Sequence, residues 1–193
     1  MAKRDNHYEA AFEAYLRERR LPYVAIDETR RSLLGGDSIK SLDFIVHSGD
    51  RASWLVDVKG RRFPAGDEQK QYWKNWSTRD DLRAMAAWEG LFGAGFQGLF
   101  VFAYAIVGDR SPLPAEQLAS YRNRLYAFVG VRLCDYACFA RPISAAWQTV
   151  ALTSQKFREI ARPVDEFFKL KKPMAVPRLS AFPAMATPAT IER

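Results

Sequence analysis

Three charged residues in two short apolar segments have the types that metal-assisted phosphodiester chemistry uses. Asp43 lies in SLDFIV, and Asp57 and Lys59 lie in SWLVDVKGRR. Both segments are predicted to be strands, and residues two apart on a strand share a face, so Asp57 and Lys59 point the same way. Buried carboxylates are costly unless a partner neutralises them. The pattern therefore favours a site for a divalent cation and a phosphodiester.

Magnesium suits these residues because it takes carboxylate and carbonyl oxygens and keeps several waters. We predict Asp43 and Asp57 as direct ligands together with the backbone carbonyl of Val58, and we expect Mn²⁺ to substitute. The Lys59 ammonium would orient the attacking water or stabilise charge that develops on the phosphate. Glu9 lies roughly 80° from the centre of a helical apolar stripe, at about 100° per residue. From this rim position it would reach the outer water shell of the metal.

The helix that would position Glu9 is predicted to begin near Asn6 and to end before Pro22. Its apolar stripe repeats at helical spacing and consists of Tyr8, Ala11, Phe12, Tyr15 and Leu16. Strands are predicted next at Tyr23–Asp27, Leu42–Val46 and Trp54–Val58, the last two forming a hairpin.

The middle of the chain is predicted to return to the sheet through a second helix. Arg61 to Trp76 read as irregular. Thr78-Arg79-Asp80-Asp81 resembles a capping box and opens a helix that Gly93 closes. Leu99 to Val107 form a nearly unbroken apolar run, which fits a buried central strand reached by a crossover. The resulting fold class is α/β, with one mixed sheet and helices on its faces.

The last third of the chain gives weaker signals. Strands are predicted at Leu125–Leu133, Tyr136–Ile143 and Trp147–Leu152, followed by a short helix capped by Ser154. Residues 1–170 are expected to form one domain. Residues 171–193 are rich in proline and alanine and are expected to form a flexible tail.

The order and spacing of Glu9, Asp43 and Asp57-x-Lys59 resemble the PD-(D/E)xK nuclease superfamily, above all its archaeal Holliday-junction-resolvase-like members. The resemblance spans roughly residues 7 to 107, although residue 42 is leucine where the superfamily motif has proline. It implies a restriction-endonuclease-like α-β-β-β-α-β core with C-terminal additions, a magnesium site, DNA as substrate and a homodimer. The segments HYEAAFEAYLR, SLDFIV, VDVKGRRFP and NWSTRDDL also resemble an uncharacterised bacterial family named HYExAFE.

Further basic residues near these motifs are candidates for phosphate binding. They are Lys40, Arg61, Arg62, Lys70 and Lys74. Lys70 and Lys74 lie in KQYWKNW, whose tryptophans would either stack on bases or pack in the core. Each basic residue has the alternative of an ordinary solvated position. Glu13 and Glu28 are alternatives to Glu9, and Asp57 and Lys59 have the alternative of a solvated strand edge.

Composition restricts the function classes. The chain has 193 residues, 48% of them hydrophobic, which excludes a mainly disordered protein. A net charge of +7 suits DNA or RNA as partner. Cys134 and Cys138 match no zinc-site or disulfide spacing and are expected to be free thiols. No signal peptide or membrane span is apparent, so a cytoplasmic location without membrane association is expected.

We therefore expect a metal-dependent endonuclease that hydrolyses phosphodiester bonds in DNA, with structure-selective, resolvase- or repair-like cleavage as one form of this activity. The alternatives are a catalytically silent nucleic-acid-binding or assembly module on the same fold, and a nuclease that acts on RNA.

Overall fold

The computed structural model describes residues 6–27, 32–34, 37–49, 53–65 and 73–169. The helices are α1 (His7–Glu18), α2 (Arg79–Phe92), α3 (Leu133–Phe139), α4 (Ser154–Ile160) and α5 (Val164–Phe167), with a 3₁₀ turn at Ala115–Gln117. The strands are β1 (Tyr23–Ala25), β2 (Ser32–Leu34), β3 (Asp37–Ile39), β4 (Phe44–His47), β5 (Ser53–Phe63), β6 (Ser77–Thr78), β7 (Phe96–Ile106), β8 (Ala119–Tyr121), β9 (Arg124–Arg132), β10 (Arg141–Ser144), β11 (Thr149–Ala151) and β12 (Arg162–Pro163).

The main sheet is mixed and has seven strands, in the order β1-β4-β5-β7-β9-β12, with β8 paired to β9. Only β5 and β7 run parallel to each other in this sheet; the other described pairs are antiparallel. A small sheet holds β10-β11-β6, and β2 pairs with β3. The predicted α/β class with a mixed sheet is confirmed, as is the antiparallel pairing of β4 with β5.

Strand β7 lies at the centre because its side chains are apolar on both faces. Leu99, Val101 and Ala103 pack into the core beneath α1. Phe100 and Phe102 pack into the opposite core, to which α2, α3 and α4 contribute. All five side chains are fully buried. The predicted buried central strand is therefore confirmed, and helices cover both faces of the sheet.

The predicted helix starts are found where local chemistry specifies them. The Asn6 side chain accepts a hydrogen bond from the Tyr8 amide and caps α1. Thr78 and Asp81 form both halves of a capping box at the start of α2. The short helix near residue 154 is capped by Thr153, one residue before the predicted cap.

Two predicted elements are wrong. Tyr136–Ile143 is not a strand, because Leu133 and Tyr136 are buried three residues apart on α3 and only β10 is extended. Strand β5 includes Arg61 and Arg62, which were predicted to be irregular, because β7 pairs with it as far as Phe63.

The remaining predictions concern the two cysteines, the C-terminal residues, the domain division and membrane spans. Cys134 and Cys138 are free, as predicted, and both are exposed. The proposed tail at 171–193 lies outside the described residues. The one-domain division stays a prediction. Within the described ranges, no helix is long and apolar enough to cross a membrane.

Candidate functional site

The candidate site lies where β5 continues past the end of its neighbour β4. The last regular backbone bond between them runs from the Asp43 amide to the Val56 carbonyl, at 3.0 Å. The next amide on that edge, from Val58, donates instead to Asp43 Oδ2 at 2.5 Å. The Asp43 carboxylate thus accepts the hydrogen bond that a backbone carbonyl of a neighbouring strand would otherwise accept. Beyond it, the register of β4 with β5 ends and the edge of β5 borders a pocket.

This pocket has a volume of about 430 Å³. It is lined by all four residues predicted to be catalytic, Glu9, Asp43, Asp57 and Lys59, and by Val58. The residues come from α1, from the position just before β4 and from the middle of β5. Residues separated by up to 50 positions in the sequence are therefore brought to one cleft.

Asp57 and Lys59 share a face of β5 and form an ion pair with an Nζ–Oδ2 distance of 2.7 Å. Burial raises the pKa of Asp57, and the neighbouring Lys59 charge only partly offsets this effect. Burial lowers the pKa of Lys59, but the carboxylates of Asp57 and Asp81 outweigh it, so the net pKa is raised. Lys59 is therefore an ammonium at neutral pH. As an ammonium it can donate hydrogen bonds to a water or a phosphate oxygen.

The structure adds Asp81, at the start of α2, to the predicted set. Its Oδ2 lies 2.9 Å from Lys59 Nζ, and its Oδ1 lies 2.6 Å from Lys40 Nζ. The same carboxylate accepts hydrogen bonds from Ser77 Oγ at 2.9 Å and from the Thr78 amide at 3.0 Å. Its side chain is only 3% exposed. Asp81 is thus both the N3 residue of the capping box of α2 and a buried partner of the site lysine.

Three partners favour the ionised form of Asp81. Burial alone would raise its pKa, but Lys59, Lys40 and the Thr78 amide together hold the pKa well below the usual carboxyl range. Asp81 is therefore ionised throughout the neutral range. The sequence signal that pointed to it was the capping box, which by itself predicts a helix start and no contact with Lys59.

Glu9 is fixed by the way α1 lies against β5. It is 4% exposed and accepts a hydrogen bond from the Asn6 side chain. One residue earlier, the Tyr8 ring lies so close to Gly60 that a Cβ there would be 2.1 Å from the ring. The absent side chain of Gly60 lets the start of α1 contact the strand directly after Lys59. Glu9 consequently reaches the pocket from the face of the sheet opposite α2.

The oxygen atoms at this pocket are suited to a magnesium ion that takes only a few of its ligands from the protein. Within the described residues, no group of three or more His, Cys, Asp or Glu side chains has the spacing to hold a metal ion. Magnesium is commonly held by one or two carboxylates and several waters. Asp43 and Asp57 supply two carboxylates at this pocket. The Val58 carbonyl lies on the same side of β5 as its amide, facing Asp43, and offers a third oxygen. Direct ligation by Glu9 gains no support, and an outer-shell role stays a prediction.

The five predicted phosphate-binding residues have different positions. Lys40 and Arg61 line the pocket, although Lys40 also pairs with Asp81. Arg62 and Lys74 are exposed and do not line it. Lys70 lies outside the described residues.

The two tryptophans of that region differ as well. Trp73 packs against the aromatic core, in contact with Phe63 and Tyr104. Trp76 lines the pocket and contacts Arg61. Core packing therefore applies to Trp73, whereas base stacking by Trp76 stays a prediction.

Comparison with known proteins gives a similarity of fold. No protein-family model matches the chain, so the HYExAFE family gains no support. No curated protein matches either. Among solved structures, the chain is similar to Archaeoglobus fulgidus Hjc, a Holliday junction resolvase from an archaeal hyperthermophile. The TM-score is 0.49 with 8% sequence identity, over 84% of this chain and 98% of the other.

Proposed function

We propose that the chain is a Mg²⁺-dependent endonuclease that hydrolyses phosphodiester bonds in DNA. The observation that supports this most directly is the junction of β4 and β5, where Asp43, Asp57 and Lys59 line one pocket. Burying two carboxylates and an ammonium beside solvent-accessible space is costly for stability alone, because ions lose hydration on burial. Phosphodiester hydrolysis would use each of these groups.

In this proposal, Asp43, Asp57 and the Val58 carbonyl hold the magnesium ion. When bound, magnesium would neutralise phosphate charge and lower the pKa of a water molecule. Lys59 remains an ammonium held between Asp57 and Asp81, and it donates a hydrogen bond to the attacking water or to a phosphate oxygen. Glu9 accepts hydrogen bonds from waters on the α1 side of the pocket. DNA is the favoured partner, and a homodimer acting in the cytoplasm completes the proposal.

A catalytically silent binding or assembly module is the second candidate. One observation favours it: the Lys59 ammonium already has two carboxylate partners, Asp57 and Asp81. A lysine that serves only to neutralise buried aspartates would have this arrangement too. Such a module would bind nucleic acid through the net charge of +7 without cleaving it.

The deciding experiment measures cleavage of supercoiled plasmid, linear duplex DNA, branched DNA and RNA, each with Mg²⁺, Mn²⁺ or a chelator. We expect nicking of DNA with either metal and none with the chelator. The variants Asp57→Asn and Lys59→Gln should lose activity by roughly 100-fold or more. Asp80→Asn is the matched control, because Asp80 is an exposed aspartate in the first turn of α2.

Circular dichroism must show that the two site variants remain folded. Cleavage in the presence of the chelator would contradict the metal dependence. Binding of nucleic acid without cleavage of any substrate would favour the silent module. Cleavage of RNA alone would keep the chemistry and overturn DNA as substrate.

A further inference from the structure

Trp76 is an aromatic side chain that stays partly in solvent at the edge of the pocket. It is 39% exposed and lines the same pocket as Asp43 and Asp57. The Arg61 guanidinium carbon lies 3.9 Å from the centre of its ring, which is stacking distance. Arg61 also donates a hydrogen bond to the Trp76 carbonyl. Arginine and tryptophan therefore form a cation–π pair beside the predicted metal ligands.

The backbone on both sides of Trp76 is firmly held. Asn75 is 4% exposed, and its Oδ1 accepts the Leu152 amide at 2.9 Å. The Asn75 carbonyl accepts the Tyr136 hydroxyl at 2.7 Å. On the other side, Ser77 is fully buried and belongs to β6. A tryptophan whose neighbours are anchored inside the protein, while its ring remains at the surface, loses little further conformational entropy when a ligand covers it.

Arg61 contributes an unsatisfied polar group at this place. Its Nη1 donates to the Gly60 carbonyl at 2.7 Å. Its Nε is buried and has no hydrogen-bond partner among the described residues. An unsatisfied buried donor is unfavourable until an acceptor arrives. Arg61 also lines the pocket, so its positive charge is available to the phosphates of a nucleic acid strand there.

We propose that Trp76, backed by Arg61, is a stacking platform for an unpaired DNA base adjacent to the phosphate that is cleaved. This inference rests on the proposed function and specifies its substrate as DNA with unpaired nucleotides. A base within an intact duplex is stacked on both faces by its neighbours and is not available to the indole. An unpaired base at a branch, flap or single strand is available. Recognition would not depend on sequence, because every base has a face that stacks.

A structural role for Trp76 is the alternative, in which the ring only shields Arg61 from water. The two roles differ in what the ring contributes to binding. A shield would affect duplex and unpaired DNA equally, because it would act through Arg61. A platform would affect only DNA that has a free base.

The test measures affinity in the presence of a chelator, so that binding is separated from cleavage. Fluorescence anisotropy would compare a labelled single strand, a forked duplex with unpaired arms, and a blunt duplex of the same sequence. We expect Trp76→Ala to weaken binding of the first two by roughly 5- to 140-fold, the equivalent of stacking one base. Blunt-duplex affinity should change by less than about twofold. Trp76→Phe, which keeps an aromatic ring, should retain most of the preference.

Trp147→Ala is the matched control, because Trp147 is 79% exposed and does not line the pocket. It should bind all three DNAs as the unchanged protein does. An equal loss of affinity for all three DNAs in Trp76→Ala, no loss, or the same selective loss in Trp147→Ala would overturn the proposal.

A second measurement needs no variant. An oligonucleotide with 2-aminopurine as its unpaired base should lose fluorescence on binding, because stacking on an indole quenches this base. Unchanged emission at saturating protein would overturn the platform. Since none of these measurements uses cleavage, intact nicking without selective binding would refute the platform and leave the nuclease proposal standing. Selective binding without nicking would refute the nuclease proposal and the position of the base beside a cleaved phosphate, and it would leave only the stacking of an unpaired base on Trp76.

Discussion

Replacing Asp81 with asparagine removes one of the two carboxylates that hold the Lys59 ammonium. Loss of one partner from a buried ion pair costs about 3–5 kcal/mol when the other charge is left uncompensated. Lys59 keeps Asp57 at 2.7 Å, so the cost here falls below that range. The asparagine oxygen still accepts the Thr78 amide, which preserves much of the cap. The Lys40 pair adds little, because its lysine is half exposed.

We therefore expect Asp81→Asn to lower the free energy of unfolding by about 2–3 kcal/mol. For a chain of this size, that loss corresponds to a decrease of about 4–12 °C in Tm. Urea denaturation followed by circular dichroism measures the change, with an unchanged m value indicating that the unfolding transition is otherwise the same. The control is Asp80→Asn, which removes the same charge from an exposed position in the same helical turn. Its effect should be within about 0.5 kcal/mol.

The contribution of Asp81 also has a defined pH dependence. Its pKa is lower in the folded protein than in the unfolded chain, because Lys59 and Lys40 favour the ionised form despite its burial. Stability from such a group is present above the unfolded pKa of about 3.9 and is lost as pH falls through the folded pKa. The stability difference between wild type and Asp81→Asn should therefore be constant near neutral pH and shrink below about pH 4. A difference that grows on acidification, or a cost no larger than that of Asp80→Asn, would refute the ion-pair reasoning.

Three further substitutions probe the framework of the site, each measured by denaturant unfolding. Gly60→Ala should destabilise the protein by about 1–3 kcal/mol, because the new Cβ meets the Tyr8 ring at 2.1 Å; a neutral result would show that α1 can move away. Gly90→Ala makes the same substitution on α2, where nothing lies within 4 Å of the new Cβ. Because alanine favours the helix and restricts the unfolded chain, it should stabilise the protein by about 0.4–1 kcal/mol. Asn75→Ala should cost about 1–3 kcal/mol, since it leaves the buried Leu152 amide without its acceptor; retention of full stability would mean that another acceptor replaces it.

Local signals in the sequence were sufficient to predict α1, the start of α2 and β7. The apolar stripe that includes Phe12 and Leu16 defined α1, and the Thr78–Asp81 capping box defined the start of α2. Each signal is complete within one or two turns of chain, so no tertiary contact was needed to interpret it. The same holds for β7, whose unbroken apolar run reflects burial on both faces.

Elements whose structure depends on distant partners were not predictable in the same way. The segment containing Leu133 and Tyr136 is too short for its helical spacing to outweigh its aromatic, strand-like composition. Arg61 lies in a strand because β7 pairs beside it, although its own neighbours are charged and polar. Tertiary pairing overrides local propensity in such cases.

In the candidate site too, some features were predictable from local sequence and others depended on distant partners. The grouping of Asp43, Asp57 and Lys59 followed from strand geometry and from the types of the residues. The contact of Asp81 with Lys59 depends on how α2 packs against β5, which no spacing in the sequence encodes. A capping residue that also serves as a counter-ion has the same sequence signal as one that only caps.

The central position of β7 has a consequence for how the chain is made by the ribosome. Its two neighbours are separated widely in the sequence: β5 is complete at Phe63, whereas β9 ends only at Arg132. When Ile106 emerges, β7 can pair with β5, but its other edge has no partner until another 26 residues (132 − 106) have been added. At about 5–20 residues per second, this interval lasts roughly 1–5 s. During that time a long apolar edge is open to pairing with other chains, and chaperone capture of the nascent protein would be most useful there.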